Sequence, residues 1–144
     1  MRCRGPVDGE RYETDAPTTL RMSAVRPRDT RPEKVVRSLL TRLGFRYRLN
    51  CHDLPGRPDV VFRGRRKVIF VHGCYWHRHP RCPRTTTPAR NVRLWREKFR
   101  ATVRRDAQHL RALAVDGWAV LVVWECETRD VADLTRRLKL FLGG

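Results

Sequence analysis

The stretch DVVFRGRRKVIFVHGCYWHRHPRC, residues 59–82, decides the fold and the chemistry of this chain. Two apolar segments, 59–62 and 67–71, flank the turn sequence RGRR, a pattern typical of a β-hairpin. The loop that follows is crowded with His72, Cys74, His77, His79 and Cys82. An acid beside one strand, with histidines and thiols just past the next, indicates metal chemistry.

Length and composition indicate one folded domain. The chain has 144 residues, 40% of them hydrophobic, which is enough for a single core. Its longest apolar run, 119–124, is far shorter than the roughly 20 residues that cross a bilayer. Residues 1–13 lack the apolar core of a signal peptide. We therefore expect a cytoplasmic protein without a membrane partner.

The charge balance indicates a nucleic-acid partner. The net charge is +17, and only four of the 32 basic residues are Lys. Arg suits phosphate because its planar guanidinium donates two hydrogen bonds at once. An Arg-rich genome would explain the preference for Arg over Lys but not the size of the excess, so the composition favours nucleic-acid binding.

The first helix is predicted from its N-terminal signature. Thr30 precedes Glu33 by three residues, with Pro32 in the first turn, and Gly44 supplies the stop. Glu33 therefore has a structural role as the capping-box partner, which has to be weighed against any catalytic use.

Strands and helices alternate after this helix. A short strand is expected at 45–49, then the hairpin, a long helix over 91–114, a strand over 118–124 and a final helix from near Asp130. The continuous apolar run of 118–124 predicts a central strand covered on both faces. The order of elements predicts an α/β sandwich around a mixed sheet.

The long helix has an apolar side and a basic stripe. The apolar positions are Val92, Trp95, Phe99, Val103, Leu110 and Leu113. The basic positions are Arg93, Arg100, Arg104 and Arg111. Asp106 falls on the apolar side, where a carboxylate needs a partner. A structural salt bridge and a hydrogen bond to a site residue both fit this position.

Cys74, His79, Cys82 and Cys126 can form a zinc site. Three thiolates and one imidazole are a set that structural Zn²⁺ takes. Five cysteines, an odd number, without a secretory signal argue against disulfides. An exposed loop with free thiols and a buried Cys126 is the other interpretation. Because exposed thiols are a liability, the pattern favours a metal.

Asp59, His72 and His77 form a second candidate site, since hairpin pairing would bring them to one end of two adjacent strands. Phosphodiester hydrolysis needs a divalent metal held by oxygen ligands and a base that activates water. Asp59 and the main-chain carbonyl of Val71 can supply oxygens, and a neutral His can act as the base. A purely structural role is the simpler interpretation, but convergence beside basic residues favours hydrolysis.

The aromatic residues Tyr75, Trp76 and Trp95 are candidate DNA contacts. Trp76 lies in a polar, Arg-flanked loop with no core to fill, and apolar wedges inserted between base pairs unstack and kink DNA. Trp95, at the edge of its helix's apolar face, fits a core role equally well. Met22, in the basic segment 21–31, is a further candidate wedge.

Several segments resemble the very short patch repair (Vsr) DNA mismatch endonucleases, and the resemblance as a whole covers about residues 20–142. These are LPGRPD (54–59), VIFVHGCYWHRH (68–79), LWREK (94–98), RRD (104–106) and GWAVLVVWEC (117–126). The resemblance implies the three-layer mixed-sheet fold of type II restriction endonucleases, with structural Zn²⁺ and catalytic Mg²⁺. It implies a bacterial, nucleoid-associated enzyme that nicks double-stranded DNA 5′ to the T of a T:G mismatch left by deamination of 5-methylcytosine.

The resemblance also assigns roles to residues. In the active site it implies that Asp59 and the Val71 carbonyl bind Mg²⁺, that His77 activates water, and that His72, Asp106 and Glu33 complete the site. It implies Zn²⁺ ligation by Cys74, His79, Cys82 and Cys126, and insertion into DNA by Met22, Tyr75, Trp76 and Trp95. From the basic stripe we expect Arg93, Arg100 and Arg104 to contact phosphates.

We expect a mobile tail at 1–20 and a single endonuclease domain at 21–144, in which 21–31 is a DNA-contacting arm. The protein should act as a monomer, with DNA polymerase and mismatch-repair proteins following the nick. The chain departs from the family where Val71 replaces a frequent Thr, Tyr75 replaces Phe, and two residues rather than one separate His79 from Cys82. The alternatives are a non-catalytic, zinc-stabilised protein that binds distorted DNA and a same-fold nuclease of other specificity.

Overall fold

The computed structural model describes residues 29–143, which form a mixed α/β domain as predicted. The elements in chain order are α1 (Arg31–Arg42), β1 (Val60–Phe62), β2 (Lys67–His72), α2 (Val92–Val115), β3 (Ala119–Trp124), a 3-10 helix (Glu125–Arg129) and α3 (Val131–Leu142). The predicted tail, most of the predicted arm and Met22 lie outside the described residues. Across 29–143, no helix combines the length and apolar character needed to cross a membrane.

Helix α1 begins where its sequence signature predicts. The Thr30 hydroxyl accepts a hydrogen bond from the Glu33 amide at 3.4 Å, and Gly44 follows the helix with a φ of 82°. The Glu33 carboxylate accepts from the Asp29 amide at 2.9 Å, one residue earlier than a standard capping box. Glu33 therefore does stabilise the start of the helix.

The sheet is mixed, as predicted, with strand order β1-β2-β3. Strand β1 runs antiparallel to β2, and β3 runs parallel to β2. The prediction that 118–124 forms the central strand is wrong, because β2 is central in the described sheet. Both faces of β3 are nonetheless covered, since Leu121 packs on one core cluster and Val120 and Val122 pack on the other. A continuous apolar run therefore indicates that both faces of a strand are covered, but it does not indicate how many strands lie beside it.

The strand predicted at 45–49 is reduced to a single bridge between Arg48 and Val61. The two residues exchange backbone hydrogen bonds of 2.8 and 3.0 Å. Alternate side chains, from Phe45, Tyr47 and Leu49, pack on the core. This alternation produced the strand-like pattern, but the pairing does not extend along the segment.

Two core clusters lie on opposite faces of the sheet. Val60, Phe62 and Ile69 pack with residues of α1 and α3, whereas Val61, Val68, Phe70 and Trp118 pack with Leu113 of α2. The helices thus form layers on both sides of the sheet.

Helix α2 is much longer than the sheet it covers. Its 24 residues extend about 36 Å, whereas a six-residue strand extends about 20 Å. Phe99 and Leu113 are buried, but Val103, which belongs to the same apolar side, is 46% exposed. The apolar side of α2 therefore continues past the core on to the surface.

The hairpin turn stabilises the end of α3. Lys67 Nζ donates to the Phe141 carbonyl at 2.6 Å, and Arg65 Nη1 donates to the Leu142 carbonyl at 3.0 Å. The last carbonyls of a helix have no partner within the helix and carry partial negative charge, so cations are favourable there.

Replacing Lys67 by Met should lower the free energy of unfolding by about 1 kcal/mol, because it removes a charged donor from the helix end. Urea denaturation measures the change. Lys139→Met, at an exposed position of the same helix, is the matched control and should change stability by less than about 0.5 kcal/mol. Equal effects of the two substitutions would contradict a specific capping role for Lys67.

Candidate active site

An open cleft of about 560 Å³ lies where β1 begins and β2 ends. The cleft is lined by every residue predicted for catalysis or for Mg²⁺ binding: Glu33, Asp59, Val71, His72, His77 and Asp106. They come from the start of α1, the residue just before β1, the end of β2, the following loop and the middle of α2. The fold thus brings together residues that are up to 73 positions apart, from Glu33 to Asp106.

Asp59 is a partly buried carboxylate that is hydrogen-bonded to the neighbouring strand. Its Oδ2 accepts a hydrogen bond from the Val71 amide at 2.6 Å. Burial raises the pKa of Asp59 to about 7; the Val71 hydrogen bond opposes this rise, and the nearby Glu33 carboxylate adds to it. The ionised form is therefore costly unless a cation accompanies it.

His77 is held by Asp106. The two side chains meet at 2.7 Å between His77 Nδ1 and Asp106 Oδ2. Because an ionised carboxylate only accepts, Nδ1 must donate, which leaves Nε2 as the acceptor on the ring. Of the two roles that the sequence allowed for Asp106, the structure therefore has the hydrogen bond to a site residue.

His72 packs against His77 with the two rings stacked 4.0 Å apart at 8°. His72 is 7% exposed. Burial, together with charge on His77, lowers the pKa of His72 to about 4, against an opposing effect of Asp106. His72 is therefore neutral near pH 7 and can donate or accept a hydrogen bond without adding charge to the cleft.

Glu33 combines two roles. Besides accepting from Asp29, its side chain lines the cleft, and burial raises its pKa. Its negative charge also contributes to the raised pKa of Asp59. The capping role does not exclude a role in the site.

The sequence prediction missed three residues that also line the cleft: Arg57, His109 and Glu125. His109 lies three residues after Asp106, so helical spacing could have placed it on the same side of α2. The backbone at Gly56 can pack closely against the His109 side chain because glycine has no Cβ. With a φ of 75°, Gly56 lies so close that an added Cβ would be 2.9 Å from the Cβ of His109.

The predicted zinc ligands form a tight cluster beside this cleft. The donor atoms of Cys74, His79, Cys82 and Cys126 all lie within 4.8 Å of one another. His79 Nδ1 is 3.6 Å from the Cys74 sulfur and 3.4 Å from the Cys126 sulfur. Cys126 reaches the cluster from the 3-10 helix after β3, so the cluster links two distant parts of the chain.

The backbone around the cluster is held by neighbouring side chains. Thr85 Oγ1 donates to the carbonyls of His79 at 2.8 Å and Cys74 at 3.2 Å. The His79 ring stacks on Trp124 at 4.3 Å. These contacts fix the loop independently of the thiols.

The thiols of the cluster differ in acidity. Burial, together with the thiols of Cys74 and Cys82, raises the pKa of Cys126 to about 12. Burial also raises the pKa of Cys74, whereas the Arg84 amide lowers the pKa of Cys82.

Outside the cluster, Cys51 is disulfide-bonded, which corrects the expectation that the cysteines form no disulfide.

The predicted DNA-contacting aromatics meet in one cluster at the edge of the cleft, together with Phe99. The ring centroids of Tyr75 and Trp76 are 5.0 Å apart, and those of Trp76 and Trp95 are 6.2 Å apart. The Trp95 ring in turn packs on the Phe99 ring, with a centroid distance of 5.7 Å. Trp76 is 37% exposed. We call Tyr75, Trp76, Trp95 and Phe99 the aromatic cluster.

The basic stripe of α2 is exposed, as its spacing predicted. Arg93, Arg100 and Arg104 all present their side chains to solvent, and Arg93 lies 3.9 Å from Glu97 in a weak surface pair. Trp95 and Phe99 of the aromatic cluster lie on the same helix as the stripe, so a bound polyanion could meet both.

Nucleases are the class of enzyme that this cleft fits, because it joins a cation-seeking carboxylate to an oriented histidine beside a basic surface. A sequence model of the family described as DNA mismatch endonuclease Vsr matches residues 13–84. The chain belongs to this family, and the family resemblance and class of activity predicted from the sequence are confirmed.

Curated relatives support the assignment over most of the chain. A type II nicking enzyme of Xanthomonas oryzae, V.XorIIP, is 49% identical over 84% of this chain and 88% of its own length. The DNA mismatch endonuclease Vsr of Escherichia coli is 45% identical over 79% of this chain and 72% of its own length. A nicking enzyme of Neisseria meningitidis, V.NmeAIP, is 38% identical over 81% and 83%, respectively. A non-catalytic binding protein is not favoured.

Proposed function

We propose that the protein nicks one strand of double-stranded DNA 5′ to the T of a T:G mismatch and thereby initiates very short patch repair. The arrangement that carries the proposal is the His77–Asp106 pair, 2.7 Å apart, in a cleft that also contains the partly buried Asp59. Hydrolysis of a phosphodiester needs a base for water and positive charge for the phosphate. The proposal includes a restriction-endonuclease-like core and action as a monomer.

His77 is the proposed base. Asp106 fixes the ring so that Nε2 can take a proton from water, and the stacked His72 prevents the ring from rotating. Neutral His72 can orient water or a phosphate oxygen by a hydrogen bond. Arg57 and His109, on the cleft wall, would meet a phosphate entering it.

The residues around Asp59 fit a magnesium ion. Mg²⁺ prefers one or two carboxylates together with carbonyl and water oxygens, and Asp59 lies against the main chain of Val71. Bound there, Mg²⁺ would supply positive charge to the phosphate. The proposed ligand from Val71 is its main-chain carbonyl, which does not depend on the side chain, so the replacement of Thr is harmless.

The residues of the cysteine cluster fit a structural zinc ion. Three sulfurs and one imidazole nitrogen within 4.8 Å form a closed donor set with no carboxylate, which suits a structural rather than a catalytic site. The extra residue between His79 and Cys82 does not prevent the four atoms from converging. Zinc here would hold the loop that carries His77 and Trp76 against the end of β3.

The aromatic cluster is the proposed mismatch sensor. Inserting side chains between bases requires unstacking, which costs least where pairing is already weak. Trp76 is exposed and supported from behind by Tyr75 and Trp95. Phosphate contacts from Arg93, Arg100 and Arg104 would add affinity without sequence preference. Met22 remains a predicted contact from the arm.

A nicking assay tests the proposal. A duplex with one T:G mismatch in a CC(A/T)GG-like context is compared with its paired control, with Mg²⁺ and with EDTA. We expect cutting of only the T strand, only in the mismatched duplex and only with Mg²⁺. Binding without cutting would indicate a non-catalytic protein, and equal cutting of both duplexes would indicate a nuclease of other specificity.

The Mg²⁺ requirement should increase in mild acid. Because the pKa of Asp59 is about 7, a proton competes with the metal below pH 7. The Mg²⁺ concentration for half-maximal nicking should therefore be about tenfold higher at pH 6 than at pH 8. Metal-free DNA binding, measured at both pH values, separates this effect from changes in affinity. An identical Mg²⁺ requirement at both pH values would rule Asp59 out as the titrating ligand.

A further inference from the structure

We infer that Arg78 is a positioning residue that holds the aromatic cluster ready to enter DNA and so strengthens the preference for mismatched over paired duplexes. This inference rests on the proposed function. Arg78 lies between His77 and His79 in the loop, and the sequence prediction gave it no role.

The guanidinium of Arg78 is packed between the loop and helix α2. It lies 3.9 Å from the centre of the Phe99 ring and 5.7 Å from the centre of the Tyr75 ring. Two members of the aromatic cluster, one from each element, therefore contact the same cation. Such cation–π contacts stabilise more when they are partly desolvated, as they are at this half-buried side chain.

The same guanidinium joins two parts of the segment 73–91, which carries three of the four proposed zinc ligands and is here called the zinc loop. Nη1 donates to the Thr86 carbonyl at 2.7 Å and to the Tyr75 carbonyl at 3.3 Å. Nη2 donates to Thr87 Oγ1 at 2.9 Å. A flat, forked donor can stack on a ring and make these bonds at once, whereas the ammonium of Lys cannot.

The backbone of Arg78 has an uncommon conformation that its side-chain contacts stabilise. Its φ is 55°, in the left-handed region that L-residues seldom occupy. Such conformations persist where surrounding contacts outweigh their cost. The contacts of the Arg78 side chain provide that compensation.

The position of Tyr75 affects that of Trp76, the exposed wedge. The two rings meet edge-on, with centroids 5.0 Å apart and an interplanar angle of 88°, so a shift of Tyr75 removes one of the two rings that support Trp76. A loosened cluster has to be ordered again when DNA binds, and this ordering lowers affinity. The loss should affect insertion at a mismatch and not phosphate contacts to paired DNA.

Arg78→Lys is the test, and Arg96→Lys is its matched control. Arg96 is exposed on α2 and lines the same basic surface groove as Arg78, so both substitutions keep the charge and remove the fork. Without Mg²⁺, Arg78→Lys should weaken binding to the T:G duplex about five- to tenfold and to the paired duplex less than about twofold. With Mg²⁺, KM should increase while kcat stays within about twofold.

A double-mutant cycle shows whether Arg78 acts through Tyr75. In a Tyr75→Ala background, Arg78→Lys should change mismatch affinity by less than about twofold. An undiminished effect in that background would overturn the inference, as would equal losses on both duplexes, which would make Arg78 a phosphate contact. A lower zinc-to-protein ratio in Arg78→Lys would make it a support of the zinc loop instead.

One measurement without DNA separates this inference from the proposed function. Arg78→Lys should increase acrylamide quenching of tryptophan fluorescence in the free protein, and Arg96→Lys should not. Wild-type protein that fails to prefer T:G over paired DNA would contradict the proposed function even with Arg78 holding the cluster. Unchanged quenching in Arg78→Lys would contradict the inference even with mismatch nicking intact.

Discussion

Asp59→Asn should reduce nicking at least about 1,000-fold while DNA affinity stays within about threefold. The amide keeps the shape of the carboxyl group, and its oxygen can still accept from the Val71 amide, which is 2.6 Å away. The negative charge that would hold Mg²⁺ is lost. Single-turnover nicking and metal-free binding to the T:G duplex measure the two quantities separately.

The same variant should gain stability in alkaline solution. Burial raises the pKa of Asp59 from its ordinary value of 3.8 to about 7. A raised carboxyl pKa means that the fold favours the protonated form, so metal-free wild type loses stability as the pH rises from about 4 through 7. Asn cannot ionise and escapes this loss. The metal-free variant should therefore unfold at higher urea than wild type at pH 8, with little difference near pH 4.

Asp53→Asn is the matched control for Asp59→Asn. Asp53 forms an ion pair with Arg63 at 2.6 Å, and it is absent from the walls of the cleft. This variant should keep its nicking rate within about twofold, since the lost ion pair lies outside the cleft and surface ion pairs contribute little to the stability of the fold. If Asp59→Asn lost stability at pH 8 together with activity, Asp59 would be a structural residue and its assignment as a metal ligand would fail.

Short-range signals accounted for much of the fold. The cap of α1 depends on Thr30 and Glu33, three residues apart, and forms as predicted. The hairpin depends on two apolar runs and the turn between them, and antiparallel pairing then forces Asp59 and His72 to the same end of the sheet. Each of these features follows from neighbours in sequence.

The errors concern arrangements that depend on the whole fold. Strand order cannot be read from an apolar run, because β3 at the sheet edge is covered on both faces as a central strand would be. The exposure of Val103 depends on how far α2 extends past the sheet. The strand predicted at 45–49 is a single bridge, because pairing depends on a neighbouring strand that continues alongside, which the sequence of the segment does not show.

The candidate site divides in the same way. Spacing alone left Asp106 between two roles, because its partner His77 is 29 residues away and their distance depends on how α2 docks on the sheet. Arg57 and His109 were missed since neither belongs to a recognisable ligand pattern. The cysteine cluster was easier to predict, because three of its four members lie within nine residues of one loop.

Cys126→Ser should bind less than half an equivalent of zinc and unfold more than about 10 °C below wild type. Cys126 is the one member of the cluster from outside the loop, and its sulfur lies 3.4 Å from His79 Nδ1. A serine hydroxyl is a poor zinc ligand near neutral pH, so the remaining donors would hold the metal weakly. Metal analysis after dialysis and thermal unfolding measure the two effects.

A chelator supplies the control for Cys126→Ser. Removing zinc from wild type should lower its Tm to near that of the variant, whereas the variant should respond little, because a ligand that binds only the folded state stabilises it in proportion to its occupancy. Nicking should fall in both, since the loop held by the metal carries His77 and Trp76. An unchanged zinc-to-protein ratio in Cys126→Ser would remove Cys126 from the ligand set and leave the link between the loop and β3 to packing alone.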